Sequence, residues 1–334
     1  MNEFIEGGEK ISMLKGLSDA LIKLAKKHKN LVVLYADFGT KLGLRNFSLA
    51  FPDRCFNFGL SEENVVAAAV GFAVRGKIPF VIGFANFAGK AWEQIRSSVC
   101  YPNLNIKFVA ANAGISAGED GVGYQATEDI SIMRAIPNMK VVSPADYQEA
   151  ASAVEQAFEC FGPVYVRLAS CDVPVIFEDG CSFEFGKAKV LRGRGGVGEK
   201  VSSEKKDICI FTHGAVVSEV LKAVEILEGE GKSVAVVNCS SVKPIDEEVV
   251  LRAGRGAGVS VVVEDHNLNG GLFSAVAEVF AGNSGGIGEL GVLGPLKGIG
   301  LSDRFGESGK HEDLYKKYGL DAEGIAGRIR EFLL

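Results

Sequence analysis

Short apolar runs alternate with helical stretches along this chain, and the pattern occurs twice. That alternation constrains the fold more than any single motif. Strands are predicted over 31–35, 78–82, 106–111, 140–142 and 164–168, each a short run rich in Val, Ile, Phe or Ala. Between them lie helical segments over 11–27, 62–74, 90–99, 128–135 and 146–160. The first has Leu14, Leu17, Leu21 and Leu24 at helical spacing. The helix over 62–74 stops at Arg75-Gly76-Lys77, a glycine stop. The rhythm restarts with strands over 208–211, 234–237 and 259–263 and helices over 216–228, 247–253, 272–280 and 322–332. Strands that alternate with helices form a parallel sheet covered on both faces. The chain is therefore expected to hold two α/β domains, 8–176 and 207–334, each a three-layer unit around a parallel sheet. The Gly- and charge-rich stretch 177–206 is read as their connection. Its cluster from Gly193 to Lys200 lacks a P-loop Lys-Ser/Thr ending and a following helix, so it reads as linker and not as a phosphate cradle.

Length supports the division, since 334 residues exceed one typical core. A net charge of -6 gives no basic footprint, which argues against nucleic acid and anionic membranes as partners. The start, Met1-Asn2-Glu3-Phe4, lacks a basic, apolar leader, and no apolar run is long enough to span a bilayer. The seven cysteines form no CxxC pair and read as reduced thiols in a cytoplasmic protein. Four histidines without ligand spacing make no zinc site.

In open α/β sheets, ligands bind beyond the carboxyl ends of the strands. Four features fall there. Asp37 follows the first strand, and Glu62 opens the apolar helix after Gly59-Leu60-Ser61. Phe84-Ala85-Asn86-Phe87 follows the next strand, and the loop Gly118-Glu119-Asp120-Gly121-Val122-Gly123-Tyr124-Gln125 follows another. Each has a plain structural reading. The helix dipole favours carboxylates in a first turn, aromatics fill cores, and polar loops face solvent. A carboxylate leading so apolar a helix is nevertheless expected to be half-buried, where carboxylates often do chemistry. An aromatic held in a loop can stack on a planar ligand.

The residues carry a resemblance. Phe51-Pro52-Asp53-Arg54-Cys55-Phe56-Asn57-Phe58-Gly59-Leu60-Ser61-Glu62 comes first in a series of strings. Gly118-Glu119-Asp120-Gly121, Ile136-Pro137-Asn138-Met139 and Gly162-Pro163-Val164 follow. Val263-Glu264-Asp265-His266-Asn267 with Gly270-Gly271, and Glu307-Ser308-Gly309, complete it. In this order they resemble the C-terminal section of the transketolase family, as in the beta chain of two-subunit transketolases. The likeness covers nearly the whole chain. It implies a thiamine-diphosphate pyrimidine-binding domain followed by a transketolase C-terminal domain. The expected activity is transfer of a two-carbon ketol unit between sugars or sugar phosphates, in carbohydrate metabolism of the pentose-phosphate kind.

The resemblance assigns roles. Glu62 matches the glutamate that hydrogen-bonds N1′ of the aminopyrimidine and so activates the cofactor, whose own 4′ nitrogen is the base. Phe87 matches the aromatic stacked on that ring, with Phe84 beside it. Asp37 matches an acid near the thiazolium. Asp120 matches a carboxylate that reads a substrate hydroxyl, and Tyr124, Asn112 and Gln125 fall at substrate-binding positions. There are departures. Tyr124 stands where many transketolases have His, Asn112 where they have a phosphate-holding His, and Ser170 where they have a phosphate-binding Arg. Neither Asn nor Ser offers the charged bidentate grip of Arg, so a substrate phosphate would need other residues, with Arg167 the nearest candidate. His266 is expected to serve structure or an interface.

The motif that holds diphosphate and metal, Gly-Asp-Gly with a later Asn pair, has no counterpart here. The resemblance therefore implies that Mg2+ and the diphosphate are held mainly by a separate alpha chain, in an alpha2beta2 assembly built on a dimer. Two other readings stand beside this one: the beta subunit of a 2-oxo acid dehydrogenase E1 component, and a non-catalytic partner subunit. A single-chain 1-deoxyxylulose-5-phosphate synthase is set aside because it carries a further first domain.

Overall fold

Strands with apolar residues on both faces need cover on both sides, and the architecture follows from that. A computed structural model describes residues 8–192, 206–283 and 293–334. In chain order the strands are β1 (Lys10–Ser12), β2 (Leu31–Tyr35), β3 (Cys55–Asn57), β4 (Ile78–Phe84), β5 (Lys107–Ala111), β6 (Lys140–Val142) and β7 (Val164–Arg167). They continue as β8 (Asp172–Pro174), β9 (Lys189–Arg192), β10 (Lys206–Thr212), β11 (Val234–Asn238), β12 (Ser241–Lys243), β13 (Ala257–Asn267) and β14 (Leu296–Leu301). The first sheet has the order β12-β6-β7-β5-β4-β2-β3, parallel except for β12. The second has the order β14-β13-β10-β11-β9, parallel except for β9. The short strands β1 and β8 pair separately and antiparallel.

The pleat sorts the core. In β2, Val32 and Leu34 face one cluster while Leu31 and Val33 face the other; Phe108 and Val109 of β5 divide in the same way. The cluster holding Val32 and Phe108 runs on through Met133 and Val141 to Cys209, Phe211 and Leu272, so the two sheets share apolar packing.

Three expectations need correcting. The helix predicted over 90–99 is a four-residue helix, Phe87–Lys90, followed by a wider π-turn segment, Gln94–Cys100. The wider winding accompanies joint burial of Ile95, Val99 and Cys100. Within the stretch read as connection, β9 pairs antiparallel with β11. Its Lys and Arg ends hid a strand this short. The Gly193–Lys200 cluster lies outside the described residues. Lastly, β12 comes from the second half of the chain yet completes the first sheet, Ser241 facing Val142 and Lys243 facing Val141. Lys243 anchors it by donating to the carbonyls of Arg134 at 2.8 Å and Ile136 at 2.6 Å.

Among the described residues, no helix is long and apolar enough to cross a membrane. None of the seven cysteines is in a disulfide; three are buried and four half-buried.

Candidate active site

The carboxyl ends of β2 and β4, the turn after β3 and the loop after β5 line one cavity of about 360 Å3. Asn57, at the end of β3, ties two of these segments together. Its Oδ1 accepts from the backbone N–H of Asp37 at 3.0 Å and of Gly59 at 2.9 Å. The chain after β2 is held in an uncommon shape, with Asp37 at φ 61° and Phe38 at φ 55°. Consecutive left-handed residues without glycine are costly, and such strain gathers at functional sites.

Gly59, at φ 69°, turns the chain out of β3 so that helix Glu62–Val74 starts at the cavity. The Ser61 hydroxyl donates to the Phe58 carbonyl at 2.9 Å and does not cap the helix, which leaves the first turn to its two acids. Glu62 lines the cavity, its side chain only 16% exposed, while Glu63 faces solvent. Lys90 closes an ion pair with Glu62 at 3.0 Å and lines the same cavity. The walls are aromatic. Phe87 is buried, with its ring edge where a Cβ on Gly83 would meet it at 3.0 Å. The Phe84 ring centre lies 5.6 Å from that of Phe38 and 5.5 Å from that of Tyr124, the latter edge-on. Asn86 donates from Nδ2 to the Gly123 carbonyl at 2.7 Å, fixing the Tyr124 loop to the end of β4. Val65, Val81 and Ile82 supply apolar floor.

Of the residues singled out from the sequence, Glu62, Phe84, Phe87 and Tyr124 meet in this cavity. Asp37 is exposed and outside the lining, between the lining residues Ala36 and Phe38. Asp120 also stands outside it, 3.9 Å from Lys41. Gln125 is buried away from the cavity and donates to the Glu307 carbonyl at 2.8 Å. Asn112, at φ 59°, is buried against Ser170: its N–H donates to Ser170 Oγ at 2.9 Å, and the Ser170 hydroxyl donates back to Asn112 Oδ1. These two hydroxyl and amide groups therefore satisfy each other. Arg167 is no phosphate ligand in this arrangement. Its Nε donates to both oxygens of buried Asp129, at 3.1 and 3.0 Å, and its Nη2 to the carbonyls of Ala126 at 3.3 Å and Asp265 at 2.8 Å.

Lys90, Phe38, Asn86 and Asn57 were not singled out from the sequence. Asn57 lies inside the Phe51–Glu62 string, but nothing in the sequence pairs Lys90 with Glu62, 28 residues away. Charges opposite one another across a sheet edge are invisible in one dimension.

His266 is also placed. Its Nε2 accepts from the Ile130 N–H at 3.2 Å and its Nδ1 donates to the Asn267 carbonyl at 2.6 Å. The ring is fully buried and outside the cavity lining, and burial holds its pKa below the ordinary value. It caps helix Asp129–Arg134 across the domain boundary.

The cavity suits a small planar heterocycle. It offers flat aromatic walls, an apolar floor and a single carboxylate pointing in. Among the described residues no group of three or more His, Cys, Asp or Glu side chains could hold a metal ion.

Residues 9–174 match the family model of the transketolase pyrimidine binding domain, and residues 197–325 that of the transketolase C-terminal domain. The chain is 44% identical over 322 residues to a putative transketolase C-terminal section of Methanocaldococcus jannaschii, covering 96% of this chain and 95% of that one. It is 36% identical over 314 residues to a 6-deoxy-6-sulfo-D-fructose transketolase subunit of Clostridium sp., with 94% and 92% covered. A solved split-gene transketolase, an inactive beta4 tetramer, shares the fold at a TM-score of 0.84 and 38% identity, over 97% of this chain and 98% of that one.

Proposed function

The chain belongs to the transketolase family, and from that premise we propose that it is the C-terminal, or beta, subunit of a split transketolase that transfers a two-carbon ketol unit between sugars. Its likeness to a C-terminal section and to a split-gene enzyme along nearly the full length of each supports the subunit reading. The observation that carries the catalytic reading is the Glu62 carboxylate, set into an aromatic-walled cavity at the mouth of an apolar helix.

Thiamine diphosphate, when bound, supplies the carbon nucleophile that this chemistry needs. The chain's own residues do the rest. Glu62 is the group to hold a proton against a ring nitrogen of the aminopyrimidine, in a site where surrounding apolar groups strengthen the hydrogen bond. Phe87 and Phe84 provide flat surfaces for that ring. Tyr124, in the cavity wall, and Asp120, in the same loop, are assigned to the substrate, and Asp37, at the strained turn between Ala36 and Phe38, to the thiazolium side. Asn112 and Ser170 bond to each other and offer no cation, so a substrate phosphate is not read through them. The diphosphate and Mg2+ are assigned to a partner alpha chain, in an alpha2beta2 assembly. Helix Glu62–Val74 supports a subunit contact: it is apolar nearly all round, and Ala67, Gly71 and Val74 are exposed along it, with Leu60 exposed just before it. The domain division is 8–176 and 207–334, and the compartment the cytoplasm.

The test is reconstitution. Purified chain, the N-terminal transketolase section from the same organism, thiamine diphosphate and Mg2+ are mixed and assayed for ketol transfer and for 2-oxo acid decarboxylation. Ketol transfer in the mixture, absent from either chain alone, is expected. Turnover by this chain alone, or decarboxylation in place of transfer, overturns the reading.

A further inference from the structure

The loop 118–125 brings Tyr124 to the cavity and holds Asp120 beside it, and part of its support comes from the other domain. Buried Gln125 donates from Nε2 to the Glu307 carbonyl at 2.8 Å. Its Oε1 presses on Gly306 so closely that a Cβ there would stand 1.9 Å away. Gly121, at φ +76°, faces Ser308: an added Cβ would fall 2.3 Å from the Ser308 hydroxyl oxygen. Gly118, at φ +58°, faces the Gly309 carbonyl, 3.3 Å from where its Cβ would be. On the cavity side Asn86 holds the Gly123 carbonyl. At Gly306 and Gly121 a side chain of one domain packs on the bare backbone of the other, and at Gly118 backbone meets backbone, so movement of the loop toward 306–309 is blocked. The cavity lining itself comes wholly from residues 36–124, within the first domain.

We infer that Gly306, Glu307 and Ser308 are positioning residues for the reaction: through Gln125 and Gly121 they fix where Asp120 and Tyr124 stand relative to Glu62. The second domain thereby governs substrate fit without touching the substrate. The inference rests on the cavity being the ketol-transfer site, but its first readout does not.

The test uses the full chain, alone and reconstituted with its partner. Gly306→Ala drives a methyl group into Gln125; Gln125→Ala removes the strut without adding bulk. In the isolated chain both variants are expected to speed amide hydrogen exchange across 118–125 while helix Glu62–Val74 keeps its protection. In the complex both raise KM for the sugar about tenfold, since small misplacements of binding groups are costly. Cofactor affinity, read by calorimetric titration of the complex with thiamine diphosphate, stays unchanged. The double variant is no worse than the worse single one, because both act on one contact. Unchanged loop exchange and KM in Gln125→Ala, or a raised KM accompanied by equally weakened cofactor binding as in a generally destabilised fold, overturns the inference. An inactive wild-type complex sinks the proposed function alone and leaves the exchange result to decide this one.

Discussion

Two groups of acidic side chains lie at the carboxyl ends of strands, and the fold treats them differently. In the first domain, the Glu62 carboxylate faces a cavity with one side-chain partner, Lys90, that is itself exposed. At the end of β13 nearly every group is occupied by protein. Glu264 accepts from the Leu272 and Phe273 N–H groups at 2.8 and 2.9 Å, capping helix Leu272–Gly282. Asp265 accepts from the Ile115 N–H at 3.0 Å and the Tyr315 hydroxyl at 3.1 Å. His266 caps a helix of the other domain. Burial alone would raise the Glu264 carboxyl, but His213, His266 and the Phe273 N–H outweigh it and hold it below its usual range. Residue type and strand-end position are alike in both places. What separates chemistry from architecture is whether backbone donors have already filled the carboxylate's lone pairs.

If that contrast is right, substitutions at the two places should fail in opposite ways. The largest effect is at the open site. Glu62→Gln keeps the shape but changes what the group can do with a proton, and ketol transfer by the complex should fall roughly 10²- to 10⁴-fold, with the thermal midpoint nearly unmoved. Full activity in that variant would erase the distinction. Glu264→Ala is the mirror case. It leaves two buried N–H groups unpaired beside two histidines, and chemical denaturation should show a loss of about 3 kcal/mol. A stable Glu264→Ala protein with lost turnover would reverse the assignment.

The smallest effect sharpens the comparison through pH. Burial lowers the His266 pKa; Glu264 and Asp129 oppose this, and Arg167 adds to it. The folded ring stays neutral where the unfolded chain takes a proton. Stability linked to His266 is therefore full above its unfolded pKa of about 6.5 and declines as pH falls below it. Between pH 6.5 and 5.5 the wild type should lose more stability than His266→Gln, by at most about 1 kcal/mol. Parallel denaturation curves for the two proteins would show that the ring takes its proton inside the fold.

Much of the layout was legible before any coordinates. The alternating pattern placed eight of the twelve strands of the two sheets, missing the edge strands β3, β9, β12 and β14, because a run such as Leu31–Tyr35, buried on both faces, can hardly be anything else. Gly59-Leu60-Ser61-Glu62 announced a turn and a helix start, and the helix spans the predicted 62–74. What stayed hidden depended on partners distant in the sequence. β9 and β12 are too short to show periodicity and exist because β11 and β6 offer edges. Arg167 was open to a ligand role until Asp129, 38 residues away, was seen to hold it. Gln125 looked like a site residue from its neighbours, and only the approach of Glu307 turns it inward.

The return of β12 to the first sheet also limits how this protein can be recombined. A chimera joined within 177–206 would treat the two halves as interchangeable cassettes. It would set the β6 edge against a foreign β12, and a mismatch there would leave unpaired backbone groups as a template for aggregation. A functional exchange of C-terminal halves between relatives has to carry a matched β6–β12 pair, which adds Ser241–Lys243, well inside the module that a sequence-based border would assign elsewhere, to the contacts that must fit.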